Sequence, residues 1–232
     1  MLGAIAIVPS APVLVPELAG AAADEVAVVR AAVIAAAAAL PPRWVVVGVG
    51  AGSGVSDAVL GPHSVGTFAG YGVDLVVRLS PQADGPLTSL PLCALFAGWL
   101  RDQAQPAAHA EVRVYSGDHD VETALAIGRQ LRRELDAVAE PTGVLVVADG
   151  AKTLTPAAPG GYHPDDADVQ LALDDALACG DLAVLSRLPG QVVGRVAFGV
   201  LAGLTEPTPR SAKELYRTAP YGVGYFAGVW QP

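Results

Sequence analysis

The 232-residue chain reads as an α/β protein, a single domain over residues 1–232 with a mostly parallel central sheet covered by helices on both faces. Three observations lead there. Short continuous apolar runs alternate from end to end with segments of helical period, the pattern of strands joined by crossover helices. The runs are apolar at successive positions, as in strands buried on both faces. The composition, 52% hydrophobic and 16% charged, supports a large core, and a chain of this length buries roughly 70–75% of its unfolded surface. No linker and no fixed-period repeat interrupts the pattern.

Taken in order, Leu2–Val8 is a buried strand. Ala21–Leu40 places Val26, Val29, Val33, Ala36, Ala37 and Leu40 on one helical stripe, stopped by Pro41-Pro42. Trp44–Val49 is the next strand, and the Gly-rich stretch to Gly72 carries no helical period. Pro86–Arg101 reads as a helix with Thr88 or Ser89 as its cap. Val112–Tyr115 is a strand, and Asp120 caps a helix whose stripe is Ala124, Leu125, Gly128, Leu131, Leu135 and Val138. Val144–Ala148 has the character of a central strand. Asp165–Cys179 is a helix with Val169, Ala172, Leu173, Ala176 and Leu177 inward and Gly180 in the C′ position. Gln191–Leu204 is a further apolar helix, and Tyr221–Trp230 closes the chain as a mostly buried strand.

Composition excludes several classes. With 14 basic and 23 acidic side chains the net charge is −9, and no basic patch offers itself to nucleic acid. Mean hydropathy is high, +0.44. Even so, the longest charge-free stretches, such as Gly85–Leu100, are 16 residues and are broken by Gly or Pro, whereas a spanning helix needs about 20 apolar residues. No membrane association is expected. The opening MLGAIAIVPSAPVLVP lacks the basic n-region of a secretory signal, and Pro9, Pro12 and Pro16 interrupt it. Cys93 and Cys179, without CxxC spacing, read as small buried hydrophobes, in keeping with a cytoplasmic protein.

Ligands of such sheets bind beyond the carboxyl ends of the strands, which selects the loops Pro9–Glu17, Gly50–His63 and Asp149–His163. The run GVGAGSG at 48–54 completes neither GxGxxG nor a Walker motif. Of the four histidines, His109 reads as exposed and His119 as a surface or capping residue. His63 and His163 lie in long loops and are the functional candidates. Asp149, at the end of a central strand, is expected to point into the crevice with Lys152 near enough to neutralise it and Tyr162 and His163 returning above. Ser10 follows the first strand, so Ser10, Asp149 and Lys152 are expected to meet at one end of the sheet. Asp149, Lys152 and His163 are the catalytic candidates; Ser10, His63 and Tyr162 are the pocket candidates.

Several stretches, AIVPSAPVLVPELAG, WVVVGVG, VVADGAKTLTPAAPGGYHPDDADVQLALDDALACGD and ELYRTAPYGVGYFAGVW, cover most of the chain in order. Together they resemble the class III extradiol dioxygenase B-subunit (LigB-like) superfamily, which includes the Memo-like proteins, and most closely a small actinobacterial branch of it. The resemblance implies a LigB-like fold. It also implies, for active members, a non-haem Fe(II) held by two histidines and a glutamate, with another histidine as acid/base. Carried over, the first histidine falls on Ser10. The second falls on Ala51-Gly52-Ser53, with His63 about ten residues late. The glutamate falls in QVVGRVAFGVLAGL, which has no carboxylate, and the acid/base histidine falls at Asp149-Gly-Ala-Lys152. Ser10 is a poor Fe(II) ligand.

The leading expectation is therefore a LigB-like domain that has lost its iron residues, holds no cofactor, and keeps a crevice for a small molecule or a protein partner; catalysis on Asp149 and Lys152 stays open. The alternative is a metal-dependent extradiol-type dioxygenase or other oxidoreductase using Fe(II) or another divalent metal on displaced ligands, His63, His163 and Asp149. It requires all three to lie within about 2.0–2.2 Å of one point. A third reading is an interaction protein whose terminal PYGVGYFAGVW forms an edge strand or a homo-oligomer surface.

Overall fold

The computed structural model describes residues 1–50, 52 and 54–232. The chain runs β1 (Leu2–Val8), α1 (Pro16–Ala19), α2 (Ala27–Ala38), β2 (Arg43–Val49), β3 (Ala58–Leu60), β4 (Val65–Thr67), β5 (Val76–Arg78), β6 (Leu87–Thr88) and α3 (Leu92–Ala104). It continues through β7 (His109–Tyr115), α4 (Val121–Asp136), β8 (Thr142–Val147), α5 (Asp166–Cys179), α6 (Leu182–Leu185), α7 (Arg195–Thr205), β9 (Ser211–Thr218) and β10 (Tyr225–Gln231).

Seven strands form the main sheet in the order β3-β7-β2-β8-β1-β10-β9. The inner four, β7, β2, β8 and β1, are parallel. The expected mostly parallel sheet is in fact mixed, because β10 joins β1, β9 joins β10 and β3 joins β7 antiparallel. Chain length explains the pairing of β9 with β10. Parallel neighbours need a crossover of roughly a dozen residues or more, and the short turn between Thr218 and Tyr225 permits only a hairpin. A separate three-stranded sheet, β5-β4-β6, occupies the Gly-rich region.

Side-chain alternation along the strands divides the core into two layers. Ala4, Ala6 and Val8 of β1, with Trp44 and Val46 of β2, pack with Val29 and Val33 of α2 and Phe96 of α3. Ile5 and Ile7, with Val45 and Val47, pack with Leu131 of α4, Leu177 of α5 and Val200 of α7. The α2 stripe is buried as expected, Val26 through Leu40, although the helix begins only at Ala27 after a 3-10 turn over Gly20–Ala23. Asp120 caps α4, accepting from Thr123 N at 2.8 Å.

Other expectations are corrected. The helix expected over Pro86–Arg101 starts at Leu92. Pro91 stands at its N-cap in extended backbone, and Leu87–Thr88 pairs with β4 instead. Thr88 Oγ1 donates to Val65 O at 3.2 Å and caps nothing. The helix expected from Gln191 starts at Arg195, because Val192 bridges to Ala151 and Val193 N donates to Gly150 O. Cys93 is buried but Cys179, in the last turn of α5, is exposed. The terminal strand is internal and not an edge, since β9 covers it. No helix among the described residues is long and apolar enough to cross a membrane.

Candidate functional site

The four parallel strands present their carboxyl ends along one edge of the sheet, and register decides which residues meet there. Val8 of β1 lies opposite Val147 of β8, so the second residue beyond each, Ser10 and Asp149, come side by side. Ser10 N donates to Asp149 Oδ1 at 2.8 Å across 139 positions of sequence. Ile7 pairs with Gly228, and this antiparallel register brings Tyr225, the first residue of β10, to the same edge in the α2-side layer. Burial pushes the Asp149 carboxyl up to about 6, while the Ser10 amide, which favours the charged form, pulls it down. The Tyr225 hydroxyl is also pushed up, by burial first and then by Asp149 and Tyr221. Tyr221, whose φ of 57° is positive, donates to Glu25 Oε2 at 2.7 Å and ties the turn before β10 to the segment before α2.

A buried polar plug holds this edge from the α5 side. Gln170 Oε1 accepts from Ala151 N at 2.8 Å and Nε2 donates to Asp174 Oδ1 at 2.8 Å. The amide sits against Gly150 and Gly224, where any side chain would collide with it. Burial raises the Asp174 carboxyl to about 6. The inward face of α5 thus carries Asp166, Gln170 and Asp174 beside Leu173 and Leu177, while Ala172, expected inward, is exposed. Gln170→Leu leaves the Ala151 amide unpaired and is expected to cost about 1–3 kcal/mol in urea unfolding, with early hydrogen exchange at Ala151.

The remaining candidates separate. Lys152 is exposed and makes no ion pair with Asp149. It lines a cleft of about 450 Å³ with His163, Thr153, Asp166 and Arg195. Tyr162 is 52% exposed and does not line that cleft. His63 is displaced altogether. Leu60 pairs antiparallel with Val112, so β3 carries the chain away toward the start of β7, and His63 there faces Asp84 at 3.5 Å. The trio His63, His163 and Asp149 therefore does not converge, and His63 is no part of the crevice. Ala51 and Ser53 lie outside the described residues. Among the described residues no three His, Cys, Asp or Glu side chains gather at metal-binding distance.

Two further openings frame the site. A cleft of about 700 Å³, lined by Gly50, Val55, Tyr71 and Leu92, lies over the ends of β2 and β7, next in strand order to β8 and Asp149. A groove of about 460 Å³ with Arg43, His109 and Glu134 opens at the opposite edge, where β2 and β7 begin, away from Ser10 and Asp149. Tyr225, Tyr221, Gln170 and Arg195 were not singled out from the sequence. Only the aromatic density of the terminal stretch pointed toward the first two.

The fold is that of an α/β/α protein with clefts of about 450 and 700 Å³ near the carboxyl ends of its parallel strands, and Ser10, Asp149 and Tyr225 line neither of them. The chain matches no family model and no curated protein. Its structure is similar to the crystal structure of the uncharacterized protein JW3007 from Escherichia coli K12, with a TM-score of 0.58, 10% identity, and coverage of 99% of this chain and 100% of that one. That likeness is one of fold.

Proposed function

We propose that this chain is a LigB-like relative without the iron-holding residues, and that its crevice binds a small hydroxylated aromatic molecule of phenol or catechol type. The contact between Asp149 and the Ser10 amide carries the reading. A mostly buried carboxyl raised to about 6, with no ion pair among the described residues, is ionised at neutral pH and accepts a hydrogen bond from a phenolic hydroxyl. Tyr225 is buried at the same edge, and its hydroxyl stays protonated.

The donor set does not fit Fe(II). Ser10 stands where the first histidine would, and α7 (RVAFGVLAGLT) has no carboxylate. The displaced trio is spread over the molecule, with His63 toward the start of β7 and Asp149 at the carboxyl edge.

The test is a metal analysis of protein purified without added metal, followed by anaerobic Fe(II) loading and a catechol titration read by intrinsic fluorescence. Substoichiometric iron, no oxygen uptake with catechol, and saturable quenching are expected. Stoichiometric iron with ring cleavage overturns the loss of the iron site. Quenching that fails to saturate overturns the crevice.

A further inference from the structure

We infer that the cleft of about 450 Å³ holding Lys152, His163 and Arg195 binds the phosphate group of a small molecule, at a site separate from the Ser10–Asp149 contact. Three segments bring the basic groups together. The loop after β8 closes on itself, with Gly160 N donating to Lys152 O at 2.9 Å and His163 N to Thr153 O at 3.0 Å. This closure sets Lys152 beside His163. Arg195, the first residue of α7, donates to Gly117 O at 2.7 Å and His119 O at 2.9 Å, both in the turn after β7. Neutral carbonyls fix its guanidinium without cancelling its charge.

None of the three forms an ion pair among the described residues. The one carboxylate lining the cleft, Asp166, is buried and accepts from the Thr153 hydroxyl at 2.5 Å, a neutral donor that cancels no charge, so two cations, Lys152 and Arg195, face one carboxylate there. In a chain of net charge −9, the excess of one cation over the carboxylate is local to this cleft. A compact ammonium on a flexible stem beside a positioned guanidinium suits a tetrahedral dianion. The opening exceeds a bare ion, so an organic remainder fits along Val192 and Val193. A nucleic acid, which needs a chain of phosphate contacts, does not suit one cleft in an acidic protein.

The experiment titrates the intact chain with inorganic phosphate at constant ionic strength, with acetate as a parallel arm, and follows amide resonances. Saturable shifts at Gly117, Thr153, His163 and Val193 are expected. Lys152→Ala should weaken binding at least roughly tenfold and Lys152→Glu should abolish it. Lys152 is exposed, so both variants should unfold at the parental midpoint. Phosphate shifts that do not saturate, that acetate reproduces at equal concentration, or that survive Lys152→Glu overturn the inference.

Discussion

Replacing Asp149 with Asn is expected to weaken catechol binding roughly ten- to hundredfold at neutral pH and to leave the folded chain more stable than the parent. The two effects have one cause. Asn retains an oxygen for the Ser10 amide, which is the sole hydrogen bond to the carboxyl among the described residues. It turns an NH₂ donor toward the place where a phenolic hydroxyl would donate, and it carries no charge. On the stability side, the folded carboxyl titrates near 6 against an ordinary 3.8. Across that window the folded chain holds a proton that the unfolded chain has released, so stability falls as pH rises from about 4 to about 6 and stays lowered above it. The cost of the ionised form is on the order of 3 kcal/mol, and Asn removes it. Asp174, also raised to about 6, remains in the variant, so the pH slope shrinks without vanishing. Urea unfolding at acid and neutral pH, with catechol titration of each protein, checks both limbs. A large drop in unfolding midpoint with unchanged catechol affinity would make Asp149 scaffold.

What the sequence disclosed follows from how many constraints acted on each segment. β1, β2 and β8 are covered on both faces, so every position after the leading Arg43 of β2 and Thr142 of β8 is apolar and the strands stand out as runs. The α2 stripe and the Asp120 cap are legible because one face or one hydrogen bond fixes the residue type. β9, SAKELYRT, is an edge strand of half-buried and exposed positions whose charged residues suit solvent as well as a sheet. It left no signal beyond its part in a family resemblance. β6 and the start of α3 are not separable in the sequence because Leu87–Thr88 suits either, and only pairing with β4 decides.

The crevice was legible only where strand register carries it. Ser10 and Asp149 each follow a parallel strand by the same offset, so their meeting could be reasoned without coordinates. His63 has only its place in a long loop to recommend it. The direction of β3, which the sequence does not reveal, takes it away. Gln170 and Asp174 were hidden because a polar residue facing inward on α5 looks like one facing solvent until its partners, Ala151 N above all, are known. Arg195 is the one charged residue in the apolar run Gln191–Leu204, and in the structure it starts α7 and reaches the carbonyls of a turn 76 and 78 positions upstream.

The largest loss of stability is expected where α4 and α7 touch. Gly128 and Gly203 bring the two backbones together. A Cβ on Gly203 would lie 2.2 Å from Leu125 O, and one on Gly128 would lie 2.1 Å from Val200 O. Both obstacles are main chain of the opposite helix and cannot rotate aside. In an isolated helix Gly→Ala is favourable by roughly 0.8–1.0 kcal/mol, so the sign of the change separates intrinsic propensity from packing. Overpacking of a tight core costs about 1–3 kcal/mol and occasionally more, and contact with fixed backbone belongs at the upper end. Gly203→Ala and Gly128→Ala are each expected to lose about 2–3 kcal/mol net, a fall in melting midpoint of roughly 5–10 °C for a chain of this size. The pair should cost less than the sum, since the helices forced apart by the first methyl have already made room for the second. Gly61, with ordinary backbone and nothing near its absent Cβ, is the control, and Gly61→Ala should leave the midpoint unchanged. If Gly203→Ala melts with the control or above it, α4 and α7 do not pack through their backbones.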